Sequence, residues 1–351
     1  MTSLPRMVLR PDPRGWIWGA AGAAGLAVGL RRAFPAYRFA RKVVAISGAS
    51  RGLGLVLARE LLARGARLVI CARDAAELEG ARAELTARGG EVLAVTCDVG
   101  DPWQAGSFVA QAVERYGRID VLINNAGIVQ VGPLESMGVH DFREAIDVNY
   151  FGTVYPTLAA LPHLRRGGRI VNVCSIGGAV PIPHLLPYVG SKYAQVGFSE
   201  GLTAEMARSG IKVTTVVPFL MRTGSHWNAL FKGRRKREVT WFALGASLPV
   251  SSVPAERAAR RILLACARGE PYLSVGFFAK AVRLIHGIAP GLVSRAAGLV
   301  NRLLPDPGGA GPAEFAEPGW LHRPPATRGR WMRLGDEAAR KNREIPPSRR
   351  R

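Results

Sequence analysis

The sequence predicts an α/β fold: a doubly wound parallel sheet of about seven strands. Three observations predict it. Seven short runs rich in β-branched residues follow one another along the chain, amphipathic helical patterns lie between them, and the first run feeds a glycine-rich turn that opens a helix. Strand-helix alternation of this kind gives a parallel sheet covered on both faces.

Residues 1–42 precede that domain. Within them, Trp16 to Leu30 is uncharged and rich in Gly and Ala, with Arg6, Arg10 and Arg14 before it and Arg31 and Arg32 after it. The segment is shorter than the ~20 residues that span a bilayer. Its composition admits a short membrane anchor, an interfacial helix with Trp16 and Trp18 at the headgroups, a signal peptide, or an arm packed on the protein. Membrane attachment is the expectation, because no small-x-small cleavage site precedes the charged block. Cations are more numerous on its C-terminal side (Arg31, Arg32, Arg38, Arg41, Lys42), which places the main domain in the cytoplasm.

Strands are expected at Val43 to Ile46, Arg67 to Cys71, Val92 to Thr96, Val121 to Ile123, Arg169 to Cys174, Lys212 to Val217 and Tyr272 to Val275. Helical patterns cover Leu53 to Arg64, Ala75 to Arg88, Pro102 to Tyr116 and Val189 to Ser209. Residues 43–276 thus form one domain. Residues 277–304 read as two amphipathic helices broken at Pro290, carrying Lys280, Arg283, His286, Arg295 and Arg302. They suit a membrane interface or the cap of a pocket, and equally packing on the domain or on a second subunit. Residues 305–351 are dominated by Pro, Gly and charge and read as a basic disordered tail.

Charge narrows the partners. Lys+Arg 48 against Asp+Glu 26 gives a formal charge of +22, which suits anionic cofactors, anionic lipid or nucleic acid, or simply a solvated basic surface. The cationic clusters (Arg31 and Arg32, Arg234 to Arg237, Arg349 to Arg351) lack interleaved aromatics, so a membrane surface ranks above nucleic acid, which is not expected. Cys71, Cys97, Cys174 and Cys266 form no CxxC pair, so neither a metal site nor a disulfide framework is indicated, and a reducing compartment is implied.

Chemistry concentrates around Tyr188-Val189-Gly190-Ser191-Lys192, with Ser175 thirteen residues earlier. On a helix, Tyr188 and Lys192 share one face, one turn apart. A free phenol titrates near pH 10, and a nearby ammonium lowers that value, so Tyr188 is a candidate acid or base. The pattern is weak alone and gains weight from its surroundings. Val43 to Ile46 leads into Ser47-Gly48-Ala49-Ser50-Arg51-Gly52-Leu53-Gly54 and then a helix. Glycines at 48, 52 and 54 allow a sharp turn and close approach of a pyrophosphate, favoured by the helix N-terminus.

These features together resemble the short-chain dehydrogenase/reductase family, including its membrane-attached, hydroxysteroid-dehydrogenase-like members. That family carries a TGxxxGxG turn, an Asp-Val pair after the third strand, an NNAG stretch and an Asn-Ser-Tyr-Lys tetrad on a Rossmann-type sheet. Here they stand, in order, as Ser47 to Gly54, Cys97-Asp98-Val99, Asn124-Asn125-Ala126-Gly127, and Asn149, Ser175, Tyr188, Lys192. The resemblance implies that Gly48, Ser50, Arg51, Gly52, Leu53 and Gly54 hold the dinucleotide. It also implies that Asp98 and Val99 meet the adenine and that Asn125, Ala126 and Gly127 line the cofactor. Asn124 and Asn125 also read simply as ties between strands. Pro218 and Thr223 match positions near the nicotinamide, although Phe219 replaces the usual Gly and Ser47 the usual Thr.

NAD enzymes place an acid at the end of the second strand. Ala72 stands there, followed by Arg73, and Arg51 sits in the glycine turn. Two guanidinium groups suit a 2′-phosphate, so the expected cofactor is NADP(H), with Asp74 as a competing partner for Arg73.

By the resemblance, Tyr188 is the proton donor, Ser175 polarises the substrate oxygen, and Lys192 lowers the phenol's pKa and binds the nicotinamide ribose. Asn149 bends a helix and holds a relay water. Leu220 to Pro254, with Trp227, Leu230, Phe231, Trp241, Phe242 and Leu244 around Arg234 to Arg237, is the expected substrate region. The implied function is reversible reduction of a ketone or aldehyde on a hydrophobic substrate such as a steroid, retinoid or lipid. A soluble 3-oxoacyl thioester reductase, and a non-catalytic nucleotide-binding scaffold or redox sensor, stand as alternatives. The family commonly pairs subunits, which makes a homodimer the expected assembly.

Overall fold

The computed structural model describes residues 37–248, 252–309, 311–322 and 332–345. The expected anchor at Trp16 to Leu30 and the terminal Arg349 to Arg351 lie outside the described residues. In chain order the strands are β1 (Val43–Ser47), β2 (Arg67–Ala72), β3 (Val92–Thr96), β4 (Ile119–Asn124), β5 (Gln130–Val131), β6 (Leu164–Val173), β7 (Lys212–Pro218), β8 (Leu220–Arg222), β9 (Leu230–Phe231), β10 (Ser252–Pro254), β11 (Tyr272–Val275) and β12 (Glu317–Pro318). Seven of them form one parallel sheet in the order β11-β7-β6-β4-β1-β2-β3.

β1 shows why. All five of its residues are buried, as a near-continuous apolar run requires of a parallel strand covered on both faces. The helices are α1 (Gly52–Leu62), α2 (Ala75–Ala87), α3 (Pro102–Tyr116), α4 (Val139–Ile146), α5 (Gly152–Ala160), α6 (Leu186–Glu205), α7 (Arg235–Ser247), α8 (Ala255–Arg268), α9 (Phe277–Ile288), α10 (Pro290–Asn301) and α11 (Arg333–Lys341). Val43 and Ala45 join Phe108, Val109 and Ala112 of α3 and Leu202 of α6 in one core cluster. The alternate residues Val44 and Ile46 are fully buried on the other face. Local chemistry sets the starts: Asp74 accepts from the Glu77 N–H to cap α2, and Asp101 accepts from Trp103 and Gln104 ahead of Pro102 at the start of α3.

After β3 the chain returns to the far side of β1, so the strand order reverses between β1 and β4. The loops leaving their carboxyl ends diverge there and open a crevice, the usual ligand position in open α/β sheets.

Where residues 305–351 are described, at 305–309, 311–322 and 332–345, they include regular elements rather than the expected disorder. β12 pairs antiparallel with β9, which in turn runs parallel to β5, and α11 packs against α7. Asp306 pairs with Arg234 at 2.6 Å, and Glu314 and Glu317 meet Arg235 at 2.6 and 3.4 Å. Such surface pairs contribute only about 0–1 kcal/mol each. Burial of Met332 and Ile345 stabilises by more, about 1.5–3 kcal/mol per side chain. Composition averaged over the tail hides these few anchors. Arg234 and Arg235 of the basic run are therefore paired with the tail, whereas Lys236 and Arg237 are exposed.

Candidate active site

Ser47 ends β1 and ties the glycine turn to the end of β4. Its hydroxyl accepts the N–H groups of Asn125 (3.0 Å) and Ala126 (3.1 Å), and the Asn125 amide donates back to the carbonyls of Ser47 (3.1 Å) and Gly48 (2.9 Å). The serine therefore supplies the hydroxyl that this position uses. Gly48 has φ +65°, and a Cβ on it would lie 2.7 Å from the Ala126 Cα, so only glycine closes this turn. Asn124 points the other way. Its amide bridges to Thr157 (2.9 Å) and to Asn172 on β6 (2.8 Å), which makes it a buried tie between strands.

Gly48, Ser50, Arg51, Gly52, Leu53, Arg73, Asp98, Val99, Asn125, Ala126, Gly127, Pro218 and Thr223 line one cleft of about 560 Å³, together with Ser175, Tyr188 and Lys192. Gly54 and Asn149 do not. Gly54 packs beneath the Gly48 carbonyl. Asp98 follows β3 and Pro218 ends β7, so the cleft runs across the carboxyl ends of the strands on both sides of β1. Its length, its glycine lining and the exposed Arg73 beside Ala72 fit a phosphorylated dinucleotide. Asp74 is turned to its cap, and among the described residues Arg73 forms no ion pair. Arg51, in contrast, is held by Glu77 through bonds of 2.8 and 2.7 Å.

Ser175 follows β6 and Tyr188 lies in the first turn of α6, which begins at Leu186-Pro187. The Ser175 side chain shares the cleft with the phenol, and its Oγ accepts the Gly177 N–H at 3.1 Å. Tyr188 is half-buried. Lys192 lies one turn further on and is buried. Its Nζ donates to Gln195 at 2.8 Å and to the Val173 carbonyl at 3.5 Å, and stands 5.7 Å from the centre of the Tyr188 ring. Gln195 is fixed in turn by donating to Thr153 at 2.7 Å.

The pKa pattern differs from the expectation that Lys192 depresses the phenol. Burial pushes Tyr188 up to about 12, opposed by the neighbouring Ser175 hydroxyl, and Lys192 is not among the groups that move it. Burial also pulls Lys192 down to about 8. Desolvation of both groups outweighs their mutual attraction, because the ammonium is directed at Gln195. The protein alone thus holds Tyr188 as a neutral phenol.

Asn149 sits in a π-helical turn, Asp147–Phe151, between α4 and α5. Its Oδ1 accepts the Ile128 N–H (2.9 Å), and its amide donates to the Ile128 carbonyl (3.1 Å) and Ser191 Oγ (2.9 Å). Both donors are used, so the side chain fastens the Gly127-Ile128 backbone to α6.

Phe219 lines the cleft, and its ring stands 5.9 Å from Phe278 of α9. Leu230 and Phe242 of the expected substrate region also line it, with Ile182, Leu185 and Met221. Phe231 is core, and Trp227, Trp241 and Leu244 lie off the cleft. Several participants escaped sequence reasoning. His184, at φ +62°, meets Glu238 at 2.9 Å, and Glu238 also accepts from Trp241 at 2.7 Å, which ties α7 to the loop before Tyr188. Gln195 was discoverable as the i+3 neighbour of Lys192. Glu344, from the far C-terminus, lines the cleft with no sequence signal at all.

The family model for short chain dehydrogenases matches residues 42–231. A protein of Streptomyces violaceoruber named for ketoacyl reduction in the granaticin polyketide synthase is 38% identical over 188 residues, 52% of this chain and 69% of that protein. The mouse protein named dehydrogenase/reductase SDR family member 7B is 38% identical over 194 residues, covering 54% of this chain and 60% of the relative. Among solved structures, a Burkholderia cenocepacia short chain dehydrogenase in complex with NADP superposes with a TM-score of 0.60 at 26% identity, over 69% of this chain and 99% of that one.

Proposed function

This chain belongs to the short-chain dehydrogenase/reductase family, and on that premise we propose that it is an NADP(H)-dependent oxidoreductase interconverting a ketone or aldehyde and an alcohol on a hydrophobic substrate. The observation that carries the reading is that Ser175, Tyr188 and Lys192 line the same cleft as the glycine turn. The dinucleotide would lie along Gly48 to Leu53, Arg73, Asp98 and Asn125 to Gly127, and when bound supplies the hydride. Ser175 donates to the substrate oxygen and steadies the charge that grows on it. Tyr188, a neutral phenol at physiological pH, gives its proton to that oxygen in reduction and recovers it in oxidation. Lys192, charged below about pH 8, stands beside the Tyr188 ring and would hold the nicotinamide ribose. Asn149 positions the Ile128 backbone and α6.

NADP(H) over NAD(H) is supported by Ala72 where an acid would meet the ribose, by Arg73 beside it while Asp74 caps α2, and by one structural relative that is a complex with NADP. A hydrophobic substrate is supported by the lining of Ile182, Leu185, Phe219, Leu230 and Phe242. Membrane association is supported by α9 and α10, where Phe277, Leu284, Ile288, Leu292 and Leu299 are exposed among Lys280, Arg283 and Arg295. Residues 271–305 contain no acid. Among the described residues no helix is long and apolar enough to cross a membrane, so attachment through α9 and α10 would be interfacial. Exposed Val139, Leu158 and Tyr193 on α4, α5 and α6 suit a homodimer. A 3-oxoacyl thioester reductase is the second reading, favoured by the relative named for ketoacyl reduction.

A panel of lipophilic carbonyls, alcohols and 3-oxoacyl thioesters, assayed with both dinucleotides on detergent-solubilised protein, tests the proposal. NADPH oxidation with a lipophilic ketone, abolished by Tyr188→Phe while NADPH still binds, is the expected result. Turnover retained in that variant would overturn the assigned role.

A further inference from the structure

The segment that follows α11 runs into the middle of the cofactor cleft and engages the groups best suited to a diphosphate. Gly52 opens α1, and its N–H, one of the free donors of a helix start, donates to the Asn342 carbonyl at 2.8 Å. Glu344 Oε1 fills the space that a Cβ on Gly52 would take. Arg51 Nε faces the same carboxylate at 3.7 Å. A backbone donor, the glycine opening and the turn's cation are therefore all engaged by residues of this chain.

We propose that Asn342 to Glu344 form an intramolecular occupant of the diphosphate site, which a dinucleotide must displace to bind. The inference rests on the reading of the glycine turn as the dinucleotide site. Glu344 is buried, and Asn228 holds it by donating to its carboxylate (2.6 Å) and to its backbone carbonyl (2.8 Å). Arg59 steadies the segment through Asn342 Oδ1 (3.3 Å) and the Lys341 carbonyl (3.0 Å), and Ala339 packs where Gly224 has no side chain.

The hold is built to be broken. Arg51 is closer to Glu77 than to Glu344, and Glu77 itself repels the Glu344 charge. Burial, partly offset by Arg51 and Asn228, raises the Glu344 carboxyl to about 7, so ionisation at neutral pH weakens the plug. A diphosphate brings more acceptor atoms and more charge to the helix N-terminus than one carboxylate does. With the site closed by its own chain, the apparent dinucleotide affinity is reduced by the fraction of molecules that are open.

The test compares the full-length protein with Glu344→Ala and with Ala339→Arg, which dislodges the segment at Gly224. NADPH affinity is read by fluorescence titration and folding by circular dichroism. Both folded variants are expected to bind NADPH about tenfold more tightly, and in the unaltered protein saturating NADPH should speed hydrogen exchange across residues 332–345. Unchanged or weaker binding in the folded variants overturns the inference. So does slower exchange of that segment on NADPH binding, a readout that holds even if a variant does not fold. Failure of every folded protein to bind either dinucleotide would instead sink the cofactor reading and this inference with it.

Discussion

Lys192 donates its ammonium to Gln195 at 2.8 Å while standing 5.7 Å from the Tyr188 ring centre. The lysine charge is therefore anchored beside the phenol by a neighbour that sequence motifs do not include. Lys192 carries its proton up to about pH 8 and loses it above. Carbonyl reduction should accordingly fall as pH rises through about 8. Gln195→Leu leaves the buried ammonium with only the 3.5 Å contact to Val173, so the fall should move to lower pH; Lys192→Arg should move it higher, with activity reduced ~100-fold. A limb in the kcat/KM profile that stays in place in both variants would refute this coupling.

Arg73 is the exposed cation best placed for a 2′-phosphate. A charge-assisted bond of that kind contributes about 1.5–3 kcal/mol, so Arg73→Ala should weaken NADPH binding by about ten- to a hundredfold and leave NADH unaffected. Equal loss for both dinucleotides in fluorescence titration would move the selectivity elsewhere.

Glu344 makes stability depend on pH in an unusual direction. Burial raises its folded pKa from 4.5 to about 7. Between these values the folded protein keeps a proton that the unfolded chain has released, so this group lowers stability as pH rises from about 4.5 to 7. Glu344→Gln removes the effect. Its unfolding free energy in denaturant titrations should gain on that of the unaltered protein between pH 5 and pH 8, by an amount on the order of 3 kcal/mol at most. A constant difference across that range would contradict the burial of an ionisable carboxyl.

The α9 and α10 faces should bind anionic lipid. Co-sedimentation with vesicles containing anionic lipid is expected to exceed that with zwitterionic vesicles, and to drop when Phe277 and Ile288 are both replaced by Glu. Persistence of binding in that variant would place the contact elsewhere.

Much of the fold was legible because apolar periodicity is local. All seven sheet strands form at the β-branched runs, and α9 and α10 divide at Pro290 as the break in pattern requires. The glycine turn, Ser175, Tyr188 and Lys192 meet in one cleft because their motifs sit at strand ends and helix starts. What could not be read were contacts between distant segments. Arg234 and Arg235 read as an open basic patch until Asp306, Glu314 and Glu317 came back to meet them.

The sequence by itself determined the parallel sheet, the position of the crevice and the family of the chain, since each depends on residues within one strand-turn-helix unit. Only the tertiary structure decided the charge states in the site and the path of the C-terminal segment. Burial of Tyr188 and Lys192 sets their proton affinities against the simple expectation of a lowered phenol, and Glu344 reaches Gly52 from nearly three hundred residues away. Desolvation and long-range contact are properties of packing, and no spacing along the chain encodes them.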